Sequence, residues 1–410
     1  MRGGRLAGGL LATALLAPGA AAQAGSPAGP VPVARLAARR AALLDSLGRG
    51  VAVIRSATKR SIEGDYPQDS DYREDNNFFY LTGLEEPGGR LVLVARDSAA
   101  DRQILYLPAR DTALQHWSSP RLGPGEEARA LTGIADIRPA ERADSEIARL
   151  PGAEVPEARL AAALAASRQV KDGDELARLR RAIGITADAI RDVMAVARPG
   201  MWEYQLESVL EARFRREGAE RVGFPSIVGS GPNSTTLHYD TNRRRTAPGD
   251  LVVLDVGAEY GYYSADVTRT FPISGRFSDR QRRLYELVLA TQQAAIDSVR
   301  PGTDVGTLNR IARAYMRTHS GSLCGQLTCD RYWPHGLSHW LGMDVHDVGR
   351  YTTPLAPGMV LTVEPGIYLP AESLGIRIED DVLVTPSGHE VLSAGAPRDA
   401  AEVERAMRTP

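Results

Sequence analysis

The sequence predicts a two-domain protein of the α+β class. Three observations carry this expectation. The chain has 410 residues, too many for one ordinary domain and comfortable for two. Its strand-like runs are interrupted by pairs of long helices instead of alternating singly with them, which argues against a βαβ architecture. Hydrophobic residues make up 43% and charged residues 24%, close to the globular average, so a disordered or fibrous chain is excluded.

Residues 1–24 stand apart from the fold. Arg2 and Arg5 precede an apolar run over 6–16, and small residues follow, ending in Ala20-Ala21-Ala22-Gln23-Ala24. A positive start, a short apolar run and an A-x-A exit predict a secretory signal peptide cleaved after Ala22 or Ala24. The run is shorter than the roughly 20 apolar residues that span a bilayer. No later stretch reads as a membrane span, so the mature protein is expected to be exported, to the periplasm or the medium. Cys324 and Cys329 are too few for a disulfide scaffold, but an exported compartment permits a bond between them. A C-x4-C metal clip would lack further cysteine partners.

Residues 31–167 read as an α/β domain. A helix is expected over 34–47, strands over 50–54, 77–81, 90–94 and 103–107, and helical patches over 126–131, 140–150 and 157–167. This region has no dense cluster of ligand-type side chains. Residues 168–410 form the second domain. Helices are expected over 174–197, 203–218, 279–299 and 305–318. Strands are expected over 226–229, 251–259, 262–271, 360–364, 376–384 and 390–392. The balance of 49 basic and 51 acidic residues gives a net charge of −2, so no global field favours nucleic acid or an anionic membrane. Neither a G-x-G-x-x-G turn after a strand nor a phosphate-binding G-x-x-x-x-G-K-[ST] loop is present.

The chemistry concentrates in the second domain. Asp255 lies in Leu251-Val-Val-Leu-Asp255-Val256-Gly257, and Asp266 in Tyr262-Tyr-Ser-Ala-Asp266-Val267-Thr268-Arg269. A two-residue hairpin turn at Tyr260-Gly261 would place Asp255 opposite Asp266, with Cβ atoms about 4.5–5.5 Å apart. Apolar neighbours bury the pair, which sharpens the repulsion. A shared proton, an arginine or a metal ion must compensate. Downstream, His335-Gly-Leu-Ser-His339-Trp340-Leu-Gly-Met-Asp344-Val-His346 puts three histidines in one stretch, and His238 lies in a strand-rich stretch earlier. Glu364 and Glu379 follow, with Arg377 on the same strand face as Glu379. Two Asp, two Glu and one His make an oxygen-rich set that suits Mn, Mg, Fe or Zn and leans toward Mn. Two cations sharing such carboxylates would cancel their repulsion, activate a water and polarise a carbonyl, so hydrolysis is the expected reaction class.

Five motifs occur in order: Leu254-Asp255-Val256-Gly257, Ser264-Ala-Asp266-Val-Thr-Arg-Thr-Phe271, His335-Gly-Leu-Ser-His339, Val363-Glu364-Pro365-Gly366 and Gly375-Ile-Arg377-Ile-Glu379-Asp380. They resemble aminopeptidase P, or Xaa-Pro aminopeptidase, of the methionine-aminopeptidase-like pita-bread superfamily. Tyr72-Arg73-Glu74-Asp75-Asn76-Asn77-Phe78-Phe79-Tyr80-Leu81-Thr82-Gly83 resembles the N-terminal domain of the same family. The resemblance implies a creatinase-like N-terminal domain before a pita-bread catalytic domain. It implies two divalent metal ions, usually manganese, held by Asp255, Asp266, His339, Glu364 and Glu379, with Asp266 and Glu379 bridging. A bridging hydroxide would attack the Xaa-Pro bond of a proline-containing peptide. Glu364 would also shuttle the proton, and His238 and His346 would stabilise the oxyanion. His335 would line the proline side, and Arg377 would fix the ligand carboxylates. A homo-oligomer, dimer or tetramer, is implied as well. The alternatives are a proline dipeptidase on the same metals and a non-catalytic binding protein, which would have lost ligands that this chain keeps.

Overall fold

The computed structural model describes residues 27–58, 72–95, 100–110 and 121–408. The expected signal peptide over 1–24 lies outside the described residues.

The N-terminal domain is organised by α1 (Val33–Leu47), whose Leu36, Leu43, Leu44 and Leu47 recur at helical spacing and are buried. Strands β1 (Gly50–Arg55), β2 (Arg90–Ala95), β3 (Arg102–Leu107) and β4 (Asp136–Pro139) form one sheet in that order, antiparallel except for the parallel β3–β4 pair. Residue alternation sends Ile54, Leu93 and Leu105 toward α1, while Val51, Val92 and Ile104 pack on the opposite face. Between β1 and β2 comes α2 (Asn76–Thr82). After β3 come α3 (Glu126–Thr132), then α4 (Ala143–Ile147) and α5 (Glu157–Gln169) beyond β4. Arg40 on α1 is buried and donates to Leu81 O at 2.7 Å and Thr132 O at 2.8 Å, tying α1 to the C-terminal ends of α2 and α3.

The segment 77–81, expected as a strand, is helical. Asp75 caps α2 by accepting from Phe78 N at 2.9 Å, and Gly83 ends it at φ 67°. Phe78, Phe79, Tyr80 and Leu81 are all buried, and this unbroken run of large apolar side chains imitates a strand in composition.

The second domain begins with α6 (Gly173–Val196), started by a capping box between Asp172 and Glu175. Then follow α7 (Glu203–Arg216), β5 (Arg221–Val222), β6 (Ile227–Ser230), β7 (Leu251–Val256), β8 (Ala258–Tyr260), β9 (Tyr263–Ser264) and β10 (Val267–Pro272). Helices α8 (Asp279–Ile296) and α9 (Val305–His319) precede β11 (Val360–Val363), β12 (Gly366–Leu369), β13 (Leu374–Arg377), β14 (Asp380–Thr385), β15 (Gly388–Val391) and α10 (Ala400–Ala406). Small sheets β10-β7-β6, β11-β14-β15, β12-β13 and β5-β8-β9 pack against the long helices. The expected strand over 376–384 is interrupted at 378–379, between β13 and β14. Cys324 and Cys329 are joined, with Cα atoms 5.2 Å apart.

Candidate metal centre

Strands β7 and β10 pair with Asp255 opposite Thr268, not opposite Asp266. The hairpin turn sits one residue further along than expected. Tyr260 pairs with Tyr263, and Gly261 and Tyr262 turn the chain at φ 57° and 74°. A tyrosine rarely adopts such a left-handed angle unaided. Here the ring of Tyr262 stacks on Phe79 of the N-terminal domain at 3.7 Å between centroids, and its hydroxyl accepts from Glu74 N at 2.9 Å. The slip moves Asp255 by two partners, which preserves side-chain parity. Asp266 therefore lies diagonally across from Asp255 on the same face, within reach of its charge.

Three further segments reach this face. His339 comes from the loop before β11, held by its backbone N donating to Thr362 Oγ1 at 3.1 Å. Its ring Nδ1 lies 3.1 Å from Trp340 O and donates there. Nε2 faces the carboxylates. It stands 3.2 Å from Asp266 Oδ2, 3.6 Å from Glu364 Oε1 and 3.9 Å from Glu379 Oε1. Glu364 directly follows β11, and Glu379 occupies the break between β13 and β14. That break turns Glu379 toward the hairpin. Its backbone N donates to Thr268 O at 3.0 Å, and its carboxylate accepts from the Thr268 hydroxyl at 2.6 Å.

This arrangement fits a cation. Donor atoms of Asp266, His339 and Glu379 lie within 4.8 Å of one another. Asp255 Oδ1 is buried with no hydrogen-bond partner. Burial, then the charges of Asp255, Asp381 and Glu364, push the Asp266 carboxyl well above its ordinary range. Burial and the charges of Asp266, Glu364 and Asp255 do the same to Glu379. Burial raises Glu364 to about 7, against the opposing pull of His339 and Arg377. Among the described residues, Arg377 is the one arginine or lysine that forms an ion pair with this set, and it engages Asp255 alone, at 2.6 Å. A buried carboxylate group so short of positive charge, with an imidazole nitrogen facing it, is the donor chemistry of a divalent-metal site.

The remaining sequence-derived residues surround that face. The ring of His346 stacks on that of His339 at 3.9 Å. Burial, then His339 and His238, lower its basicity to about 4. His346 also borders a cavity of about 440 Å³ walled by Arg73, Arg221, Glu259 and Asp344. His238 lies in a turn after a 3-10 helix (Gly231–Thr235) and not in the expected strand-rich setting. Ser234 Oγ donates to Gly231 O within the 3-10 helix, Ser234 Oγ and Leu237 O accept from Gly375 N and Arg377 Nη2 of β13, and the side chain of His238 is exposed. His335 is bound on both ring nitrogens. Arg377 Nη1 donates to Tyr368 OH at 2.8 Å, the Tyr368 hydroxyl lies 2.9 Å from His335 Nε2, and His335 Nδ1 lies 2.8 Å from Gly336 O. Arg377, Tyr368 and His335 are thus linked in one chain of polar contacts, and Trp333 Nε1 also donates to His335 Nδ1 at 3.3 Å. The indole of Trp333 meets the His335 ring edge-on, at 5.9 Å between centroids.

Thr268, Tyr368 and Asp381 also belong to the site; Thr268 lies within the Asp266 motif without being a ligand type, and Tyr368 and Asp381 lie outside the five motifs. Thr268 accepts from Arg377 Nε at 3.2 Å while donating to Glu379. Tyr368 needs Gly366, where a Cβ would lie 2.7 Å from the Tyr368 hydroxyl. Asp381 accepts from Asp266 N at 3.2 Å, and its other oxygen is buried without a partner. Its neighbour Asp380 differs in being neutralised by Arg269 at 2.7 Å and Arg398 at 3.1 Å.

Comparison with known proteins places this geometry. Residues 177–386 match the model of metallopeptidase family M24, and residues 36–155 match the aminopeptidase P N-terminal domain. The Xaa-Pro aminopeptidase of Escherichia coli K12 is 34% identical over 90% of this chain and 96% of that protein. Among solved structures, proline aminopeptidase P II from Yersinia pestis has a TM-score of 0.83 at 34% identity, covering 92% of this chain and 99% of that one. Aminopeptidase P from E. coli with the inhibitor Pro-Leu has a TM-score of 0.84 at 32% identity, with the same coverage. The chain therefore belongs to metallopeptidase family M24, in its aminopeptidase P branch, with an aminopeptidase P-type N-terminal domain preceding a pita-bread catalytic domain.

Proposed function

We propose that the chain is an exported Xaa-Pro aminopeptidase. It removes the first residue from peptides whose second residue is proline, with two divalent cations, manganese by the oxygen-rich character of the donors. The observation that carries this reading is the convergence of Asp266, His339 and Glu379, flanked by Asp255 and Glu364, in a buried pocket short of positive charge. Asp255 would hold one cation, His339 and Glu364 the other, and Asp266 and Glu379 would bridge them. When bound, the cations supply a hydroxide nucleophile at neutral pH and polarise the carbonyl under attack.

The side chains do the rest. The proline nitrogen carries no hydrogen in the peptide, so it must gain one as the C–N bond breaks. Glu364 accepts the proton of the attacking water and returns it to that nitrogen. His238 and His346 donate to the carbonyl oxygen as charge develops on it. His335, fixed by the Tyr368 hydroxyl and the edge of Trp333, lines the side where the proline ring sits. Arg377 holds Asp255 in place at 2.6 Å. The inhibitor Pro-Leu on the E. coli relative begins with proline, as the released product would.

Export is supported by the leader-like composition of residues 1–24 and by the Cys324–Cys329 bond, which suits an oxidising compartment. The working state is a homo-oligomer, dimer or tetramer.

Metal analysis and paired substrates test the reading. Chelated protein is expected to be inactive and to recover on Mn addition. An Xaa-Pro tripeptide should be cleaved in preference to Gly-Pro. Preference for the dipeptide would replace this reading with a proline dipeptidase. Substoichiometric metal with no recovery on Mn would defeat both.

A further inference from the structure

We infer that Glu203, at the start of α7 and remote in sequence from every ligand, is the positioning residue for His238; the inference rests on the role proposed for His238 above.

Glu203 is wholly buried, and no arginine or lysine forms an ion pair with it among the described residues. A buried carboxylate in that position must be satisfied by hydrogen bonds. Its Oε1 accepts from Ser230 N at 2.8 Å, Ser230 Oγ at 2.6 Å and Asn233 Nδ2 at 3.1 Å. Its Oε2 accepts from Tyr239 OH at 2.9 Å and Arg244 N at 2.7 Å. Every one of these donors lies between residues 230 and 244, the loop that carries His238. One side chain therefore gathers the beginning, middle and end of that loop.

The residues on either side of His238 are both tethered. Tyr239 is bound to Glu203, and Leu237 O accepts from Arg377 Nη2 at 3.3 Å. Arg377 in turn holds Asp255. The imidazole between these anchors is exposed and makes no hydrogen bond of its own among the described residues. An unsupported, exposed side chain is held toward a reacting atom only as well as its backbone is held. The carboxylate of Glu203 and the guanidinium of Arg377 supply that support from opposite ends.

A double-mutant cycle tests the inference. His238→Ala is expected to lower kcat by roughly 10²-fold, as loss of an oxyanion donor does. Tyr239→Phe deletes one bond from the hub with little risk to folding, and is expected to lower kcat on the order of 10-fold with metal content unchanged. Glu203→Gln keeps the volume but cannot accept all five bonds, and should lower kcat further. In the His238→Ala background both substitutions should have almost no additional effect on kcat, because the group they position is gone. Additive losses would overturn the inference while leaving His238 in its role. An unchanged kcat in His238→Ala alone would overturn that role and the inference together. Loss of metal in Tyr239→Phe would overturn the inference as well, by showing that the loop supports the ligands and not the histidine.

Discussion

Arg377 donates to Asp255 at 2.6 Å across two strands that are more than one hundred residues apart in sequence. The same guanidinium donates to Tyr368, Thr268 and Leu237 O, so it joins the metal face, the His335 contacts and the His238 loop. A lysine could supply the charge but not this fan of donors. Arg377→Lys should therefore lower kcat/KM or metal affinity by about 10–100-fold, the usual effect of losing a group that orients ligands. Metal titration alongside kinetics would show it. Near-wild-type behaviour would mean that charge alone is needed.

Metal-free protein should lose stability as pH rises. Asp266, Glu364 and Glu379 all bind their protons more tightly in the folded chain than in the unfolded one. Folding then takes up protons, and stability falls with pH through that interval. For Glu364 the interval runs from 4.5 to about 7. Denaturant unfolding with chelator should thus give a lower midpoint at about pH 8 than at about pH 5. Asp266→Asn should raise the midpoint at the higher pH. Saturating metal should reverse the trend, since the ion favours the deprotonated carboxylates.

His346 stacks on His339 without joining the carboxylate set. His346→Ala should leave metal content intact and lower kcat by about 10²–10³-fold, with a smaller change in KM. Elemental analysis of the variant decides the matter. Metal loss would move His346 from the substrate to the ligands.

Asp347 joins the loop of His346 to the segment between the two domains. It pairs with Arg168 at 2.5 Å and Lys171 at 3.0 Å, all three buried. Burial disfavours its charge, but Lys171 and Arg168 outweigh this and hold the carboxyl below its usual range. Asp347→Asn would leave two buried cations short of an anion, a cost of about 3–5 kcal/mol. The urea midpoint should fall accordingly. Lys171→Met, which keeps the Arg168 pair, should cost less.

The candidate ligand residues were legible because metal chemistry restricts residue type: Asp255, Asp266, His339, Glu364 and Glu379 each lie in a recognisable local run, and the fold brings donor atoms of Asp266, His339 and Glu379 within 4.8 Å of one another. The α+β character was legible from periodicity in α6, α8 and α9. What escaped depended on distant partners. The helix over Asn76–Thr82 looked like a strand because the surrounding domain buries the consecutive residues Phe78 to Thr82. The hairpin register was displaced because Phe79 and Glu74 hold Tyr262 in a conformation its own sequence disfavours. Thr268, Tyr368 and Glu203 gain their roles from contacts between separate segments, which no single stretch of sequence announces.

The five acceptor side chains come from five separate stretches, from Asp255 near the middle of the chain to Glu379 near its end. No form whose synthesis stops before Glu379 holds all five. Ion capture must then follow completion of the fold, and discrimination among ions passes from the ribosome's surroundings to wherever the chain matures. The ion supply of that place, as much as the donors themselves, sets which element the protein carries.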